Sequence, residues 1–252
     1  MKYLPCFLFV VSVAFVVSCD KRTIRSDYKV IAHRGYWKMS GGADNSIMSL
    51  QEAVRLEVDG VELDVRKTKD DSLVVLHDEY YGGCYVPETE YNDLKTIRLS
   101  NGEEVSTFRN YLEEAIKYDI DYVIDIKAVG VSSKILQFLS YYNFQYKAKF
   151  VSPDPNVCDS LLIINPNIYV AYSGGNKSPK ELKQLGYSAI HYEIKVWKNH
   201  IDWLDEAKSL GMDVAAWIVK NESDIIWCAT HGIDYLIADN PLEAIQFRSN
   251  YE

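Results

Sequence analysis

Four short segments of this chain set polar groups at the ends of apolar runs: Ile31-Ala32-His33-Arg34-Gly35, Val61-Glu62-Leu63-Asp64-Val65, Leu76-His77-Asp78 and Ile124-Asp125-Ile126-Lys127. Glu62 and Asp64 are two residues apart, so in a strand both side chains point to one face. If that face is an interior, an unpaired carboxylate pair there is very costly, and a divalent cation would resolve the cost. Asp125 and Lys127 repeat the spacing and put a carboxylate and a cation on one face. Taken singly, either histidine is more often structural, and an acid pair is often a solvated rim feature. Their joint occurrence at strand ends is what points to a site.

The elements that must hold these groups alternate along the chain. Apolar, β-rich runs cover 29–33, 60–66, 73–77, 122–127, 149–152, 168–173, 189–193, 213–219 and 235–239. Helical patterns lie between them at 46–56, 108–118, 132–142, 156–165, 178–185, 200–210, 223–231 and 241–247, and Gly186, Gly211 and Gly232 stand where helices should stop. Strands alternating with helices imply a parallel sheet. Only six residues separate Arg66 from Leu73, whereas a parallel crossover needs about a dozen or more. The run 73–77 must therefore return antiparallel as a hairpin. Pairing Thr68 with Leu73 would put His77 opposite Asp64. The remaining eight strands predict a TIM-like (β/α)₈ barrel, whose usual length is about 250 residues and whose sites lie at the carboxyl ends of the strands. Residues 79–107 read as an excursion over that mouth.

The chain has 252 residues and is 48% hydrophobic and 25% charged, an ordinary globular balance. Its formal charge of −9 argues against nucleic acid as a partner, which needs clustered Lys and Arg. Any phosphate handled here must be captured locally. Lys2 followed by the uncharged run 3–17 reads as a signal peptide over residues 1–18. The end of that run, Val16-Val17-Ser18-Cys19, resembles the lipobox of bacterial lipoproteins. By that resemblance Cys19 is the lipidated N-terminus, residues 19–27 form a short stalk, and residues 28–252 form the barrel domain. The protein would then be exported and anchored in the bacterial cell envelope without spanning the membrane. An ordinary signal peptide with a chance cysteine is the plainer alternative. Cys84, Cys158 and Cys228 read as packing residues, with one unassigned disulfide open.

The segments resemble the glycerophosphodiester phosphodiesterase family. The family pattern runs His-Arg-Gly, Pro-Glu-Asn-Thr, Glu-x-Asp-Val, Thr-Lys-Asp-Gly, His-Asp, Glu-x-Lys, a late Trp, and Thr-Asp-x-Pro. This chain reads, in the same order, His33-Arg34-Gly35, Ala43-Asp44-Asn45-Ser46, Glu62-Leu63-Asp64-Val65, Thr68-Lys69-Asp70-Asp71, His77-Asp78, Asp125-Ile126-Lys127, Trp217 and Ala238-Asp239-Asn240-Pro241. The resemblance implies that His33 and His77 act as general base and acid on opposite sides of phosphorus, in an order it leaves open. It implies a divalent cation, Ca²⁺ or Mg²⁺, held by Glu62, Asp64 and Asp125, with Asp44 as a further ligand. Arg34 and Lys127 would clamp the phosphoryl group, and Trp217 would wall the glycerol carbons. The substrate implied is a small phosphodiester, attacked by water or by a neighbouring glycerol hydroxyl through a cyclic phosphate.

Asp44 and Asp125 depart from the pattern, since the family usually has Glu at both and the shorter side chain reaches less far. Two alternatives stay open: a phospholipase-type phosphodiesterase acting on a lipid headgroup, and a non-catalytic binding lipoprotein of the same fold. His191, His200 and His231 carry no partner motif and read as surface or capping residues. Oligomeric state is not legible.

Overall fold

Residue alternation along the strands decides what this fold encloses. The computed structural model describes residues 23–251; the segment expected to be a signal peptide and Cys19 lie outside the described residues. In chain order the elements are β1 (Lys29–Ala32), α1 (Ile47–Arg55), β2 (Gly60–Lys67), β3 (Leu73–Val75), β4 (Tyr80–Tyr81), β5 (Cys84–Tyr85), α2 (Tyr91–Leu94), α3 (Phe108–Ala115), β6 (Asp121–Ile126), α4 (Ser132–Tyr141), β7 (Ala148–Ser152), α5 (Pro155–Ile164), β8 (Val170–Tyr172), α6 (Pro179–Gln184), β9 (Ala189–Glu193), α7 (Ile194–Asn199), α8 (Ile201–Ser209), β10 (Asp213–Val219), α9 (Glu222–His231), β11 (Tyr235–Ala238) and α10 (Pro241–Ser249). β1, β2 and β6 to β11 pair with one another in parallel, and β1 pairs with both β2 and β11. The sheet is thus a closed eight-stranded barrel ringed by helices, a TIM (β/α)₈ barrel. Helix starts carry the expected chemistry: Ser46, Thr107, Asp154 and Asn221 accept a backbone N–H at their N-caps, and Ser178 with Glu181 forms a capping box.

The large apolar side chains of the strands pack outward against the helices. Ile31, Val123, Val151, Ala171, Ala189 and Ala215 point the other way and fill the bore with a separate apolar layer. Position 31 on β1 therefore places His33 above Ile31, and position 123 places Asp125 above Val123. The polar groups stand one step higher, at the mouth. All nine anticipated strands are present. The β4–β5 hairpin, α2 and α7 were not anticipated, being only two to six residues long.

The hairpin register differs from the predicted one. Lys67, Arg66 and Val65 face Leu73, Val74 and Val75. The turn holds three residues, with Thr68 N–H donating to the Ser72 carbonyl (2.9 Å) and Asp71 in the left-handed region at φ 60°. That is the common three-residue hairpin loop, which ends on a left-handed residue. In consequence Leu76 faces Asp64, its N–H 3.0 Å from the Asp64 carbonyl. His77 reaches the mouth because β3 stops at Val75 and Arg66 Nε donates to the His77 carbonyl (2.6 Å). Cys84, Cys158 and Cys228 are free thiols, so the disulfide left open does not form among the described residues.

Candidate active site

β2 carries the centre of the site. Glu62 and Asp64 both point into the bore, 4% and 1% exposed. Asp64 is in register with Asp125 on β6, so three carboxylates converge, and one oxygen from each lies within 4.8 Å of the others. Lys127 reaches back over this group, with Nζ 2.5 Å from Asp125 Oδ2 and 3.2 Å from Asp64 Oδ1. Arg34 Nε lies 3.2 Å from Asp64 Oδ2 but is not aligned for a hydrogen bond.

The charges do not balance. Burial, then the charges of Asp64 and Asp125, push the Glu62 carboxyl well above the usual range. Burial also raises Asp125, because Lys127 only partly offsets it. Asp64 goes the other way: burial opposes ionisation, but Lys127 and Arg34 outweigh it and hold the carboxyl low. Lys127 is itself raised, the acids overcoming its burial. Asp125 Oδ1 is buried with no partner. An orphaned acceptor among three oxygen donors fits a hard divalent cation such as Ca²⁺ or Mg²⁺.

The two histidines flank this group and are held alike. His33 Nδ1 is 2.7 Å from Asp239 Oδ1, and its Nε2 is 3.9 Å from Glu62 Oε2. His77 Nδ1 is 2.8 Å from Asp78 Oδ1. A carboxylate at Nδ1 fixes the ring and leaves Nε2 for proton exchange, the arrangement familiar from catalytic triads. Lys38 also bridges to Asp239. Burial resists ionisation of Asp239, but the hydrogen bonds from His33 and Lys38 win and hold its carboxyl at about 2. The depressed value means this grip is complete above the ordinary carboxylate range near 3.9 and is lost as pH falls through about 2. Asp239→Asn is expected to lower kcat by roughly 10–10²-fold with KM little changed. An unchanged kcat in steady-state kinetics would mean that His33 needs no orienting partner.

The turn after β1 aims the third charged group. Arg34 and Gly35 both adopt left-handed φ, 57° and 81°. A Cβ on Gly35 would lie 2.6 Å from the Ser49 carbonyl carbon, so only glycine fits. This turn directs the Arg34 N–H to Glu62 Oε2 (2.9 Å) and its guanidinium toward Asp64 and Asp44.

Asp44 is not brought into the acidic group. It is 39% exposed at its side chain and pairs with Arg34 Nη1 at 3.3 Å. Its neighbour Asn45 reaches inward instead, donating to Asp64 Oδ2 (2.9 Å) and accepting the Asp64 N–H (3.0 Å). Trp217 lines the opposite wall with Val151 and Ile237, its Nε1–H donated to the His191 carbonyl (2.7 Å). Together these residues bound a cavity of about 240 Å³, charged on the β1–β2–β6 side and apolar on the β10–β11 side.

His191 corrects an expectation. It is 1% exposed, lines the cavity floor, and burial, with Lys149 nearby, holds its imidazole down at about 3. Its Nδ1 has no partner, and Nε2 is 3.3 Å from the Tyr169 hydroxyl. It is therefore a neutral, buried imidazole and not a surface residue. His200 and His231 do lie at helix ends, stacked on Trp203 and Trp227.

A barrel whose mouth joins paired histidines, clustered acids and two cations has the equipment of a hydrolase acting on phosphate esters. A family model described as "Glycerophosphoryl diester phosphodiesterase family" matches residues 33–243. The chain belongs to that family, and is an enzyme of the phosphoric diester hydrolase class. It is 41% identical over 244 residues to a glycerophosphodiester phosphodiesterase of Bacillus altitudinis, covering 87% of this chain and 98% of the relative. A glycerophosphodiester phosphodiesterase structure from Parabacteroides distasonis superposes with a TM-score of 0.87 at 32% identity, over 90% of this chain and 99% of that one. An Oleispira antarctica phosphodiesterase in complex with the product sn-glycerol-3-phosphate shares the fold, with a TM-score of 0.75 at 22% identity, over 88% and 96% of the two chains.

Proposed function

We propose that this chain hydrolyses glycerophosphodiesters to glycerol phosphate and an alcohol, with His33 and His77 as the acid–base pair. The observation that carries this reading is the pair of carboxylate-held imidazoles flanking one acidic group in one cavity. One histidine takes the proton of the attacking oxygen as the new P–O bond forms. The other gives its proton to the departing alkoxide as the old P–O bond breaks. An alkoxide is a poor leaving group, so its protonation is worth about 10²–10⁴-fold. Water and the neighbouring glycerol hydroxyl are both served as nucleophile by this pair, the second route passing through a cyclic phosphate.

Glu62, Asp64 and Asp125 would hold the cation, Ca²⁺ or Mg²⁺. When bound, such an ion supplies Lewis-acid charge toward a non-bridging phosphoryl oxygen. Arg34 and Lys127 bind the same anionic group from the protein side, and both already lie beside the acids. The Trp217 wall receives the glycerol carbons. Retention of both histidines with Glu62 and Asp64 supports catalysis over a purely binding role, and the shorter Asp125 still brings an oxygen to those of Glu62 and Asp64. By the sequence of its N-terminus we read the enzyme as exported and lipid-anchored in a bacterial envelope.

Hydrolysis is expected to stop in excess EDTA and to return on adding Ca²⁺ or Mg²⁺. The check is release of phosphate monoester from glycerophosphocholine and glycerophosphoethanolamine. Full activity in chelated buffer would instead favour a metal-independent phospholipase-type reaction.

A further inference from the structure

We infer that the base of the barrel, opposite the active-site mouth, is a membrane-contact face. The enzyme then works with its mouth turned away from the bilayer. The inference rests on the reading of Cys19 as lipidated.

Two independent features lie on that base. The first is where the chain enters. β1 begins at Lys29, and the residues before it are held at the base. The Arg25 N–H donates to the Ala229 carbonyl (3.2 Å) in the last turn of α9, and its guanidinium lies 3.9 Å from Asp234, just before β11. Only six residue steps separate Arg25 from Cys19, a reach of at most about 22 Å. An anchor there holds the base, not the mouth, near the lipid.

The second feature is an arc of exposed apolar side chains. In this fold helices run back from the mouth, so their carboxyl ends lie at the base. Ile116 follows α3, Tyr141 ends α4, Tyr146 leads into β7, Ile163 and Ile164 end α5, and Leu185 follows α6. Tyr141, Tyr146 and Ile163 are 78%, 74% and 83% exposed, against 70%, 67% and 60% for Met39, Tyr80 and Val129 on the mouth side. Tyrosine suits the interface between water and lipid, and isoleucine suits the acyl boundary. These units occupy the part of the ring away from α9 and β11, where the chain enters. Two attachment points on opposite sides of one face hold that face flat.

The mouth is then well clear of the bilayer. β2 has eight residues; at about 3.3 Å each and a tilt of roughly 36°, the barrel alone sets it about 20 Å away. The full sequence carries a formal charge of −9 and so has no net attraction to anionic lipid; the apolar arc acts as a weak second contact beside the anchor.

The test uses the full lipidated protein in phosphatidylethanolamine–phosphatidylglycerol vesicles. A fluorophore is placed at Asn167→Cys on the base or Met39→Cys at the mouth, in a Cys84→Ser background. Energy transfer to a headgroup-labelled lipid is expected to be several-fold stronger from position 167; equal or reversed transfer overturns the orientation. In unlipidated Cys19→Ser protein, Tyr146→Ser with Ile163→Ser is expected to reduce co-flotation with these vesicles several-fold, leaving melting temperature and glycerophosphocholine turnover unchanged. Unchanged co-flotation, or a dimer that the double variant abolishes, overturns the membrane face, the dimer by assigning the arc to a second copy. Loss of glycerophosphocholine turnover in every form would contradict the catalytic reading alone, because the fluorophores still report orientation.

Discussion

His33→Ala and His77→Ala are each expected to lower kcat by at least about 10²-fold while KM changes little. The two imidazoles sit on either side of the acidic group, each gripped at Nδ1 by a carboxylate, Asp239 at 2.7 Å and Asp78 at 2.8 Å. A group so held moves a proton in the transition state and contributes little to ground-state binding, which falls to Arg34, Lys127 and the Trp217 wall. Truncation therefore shows in kcat. The double variant should lose less than the product of the single losses, since two groups serving one transition state act as a unit. Steady-state kinetics at saturating cation decides the matter, and a kcat untouched by either substitution would sink the two-histidine mechanism.

Lys127→Met should have the second large effect, and it should reach stability as well as rate. Lys127 Nζ contacts both Asp125 and Asp64, and all three charged groups are largely buried. Removing the cation leaves three carboxylates in the bore, opposed mainly by Arg34. Breaking a buried ion pair from one side costs about 3–5 kcal/mol. For a domain of this size each kcal/mol moves Tm by roughly 2–4 °C, so a drop of about 6–20 °C is expected in chelated buffer. Added Ca²⁺ or Mg²⁺ should recover much of it, because a ligand bound only by the native state stabilises that state. Turnover should stay low even then, by about 10²–10³-fold, since a donor to the developing phosphoryl charge is gone. A melting temperature indifferent to both the substitution and the cation would show that these acids neither need Lys127 nor bind metal.

Much of the site is legible in the sequence because period-two alternation is a local rule. It puts Glu62 and Asp64 on one face, and Asp125 and Lys127 on another, and the closed parallel barrel turns both faces into one bore. The same rule applied to β9 puts His191 inside, on the face of Ala189, although no motif in the sequence pairs it with a partner. What composition could not supply was turn geometry. A three-residue turn with Asp71 left-handed, in place of a four-residue one, shifted Leu76 into the position expected for His77. A left-handed Asn45, φ 61°, sends that amide inward to Asp64 and leaves Asp44 at the rim beside Arg34. Contacts between the chain's two ends were hidden for a different reason. His33 and Asp239 are 206 residues apart and meet only because β1 and β11 pair to close the barrel. The motif around Asp239 was visible, but its role was not.

The most direct measurement is ³¹P NMR of glycerophosphocholine incubated with the purified wild-type enzyme and a divalent cation. The diester resonance is expected to give way to that of glycerol phosphate with choline released, in wild type and not in the His33→Ala, His77→Ala double variant. A diester signal that persists in the presence of wild-type enzyme, while a binding assay shows the same compound held in the cavity, would contradict hydrolysis and leave a binding lipoprotein on a phosphodiesterase fold.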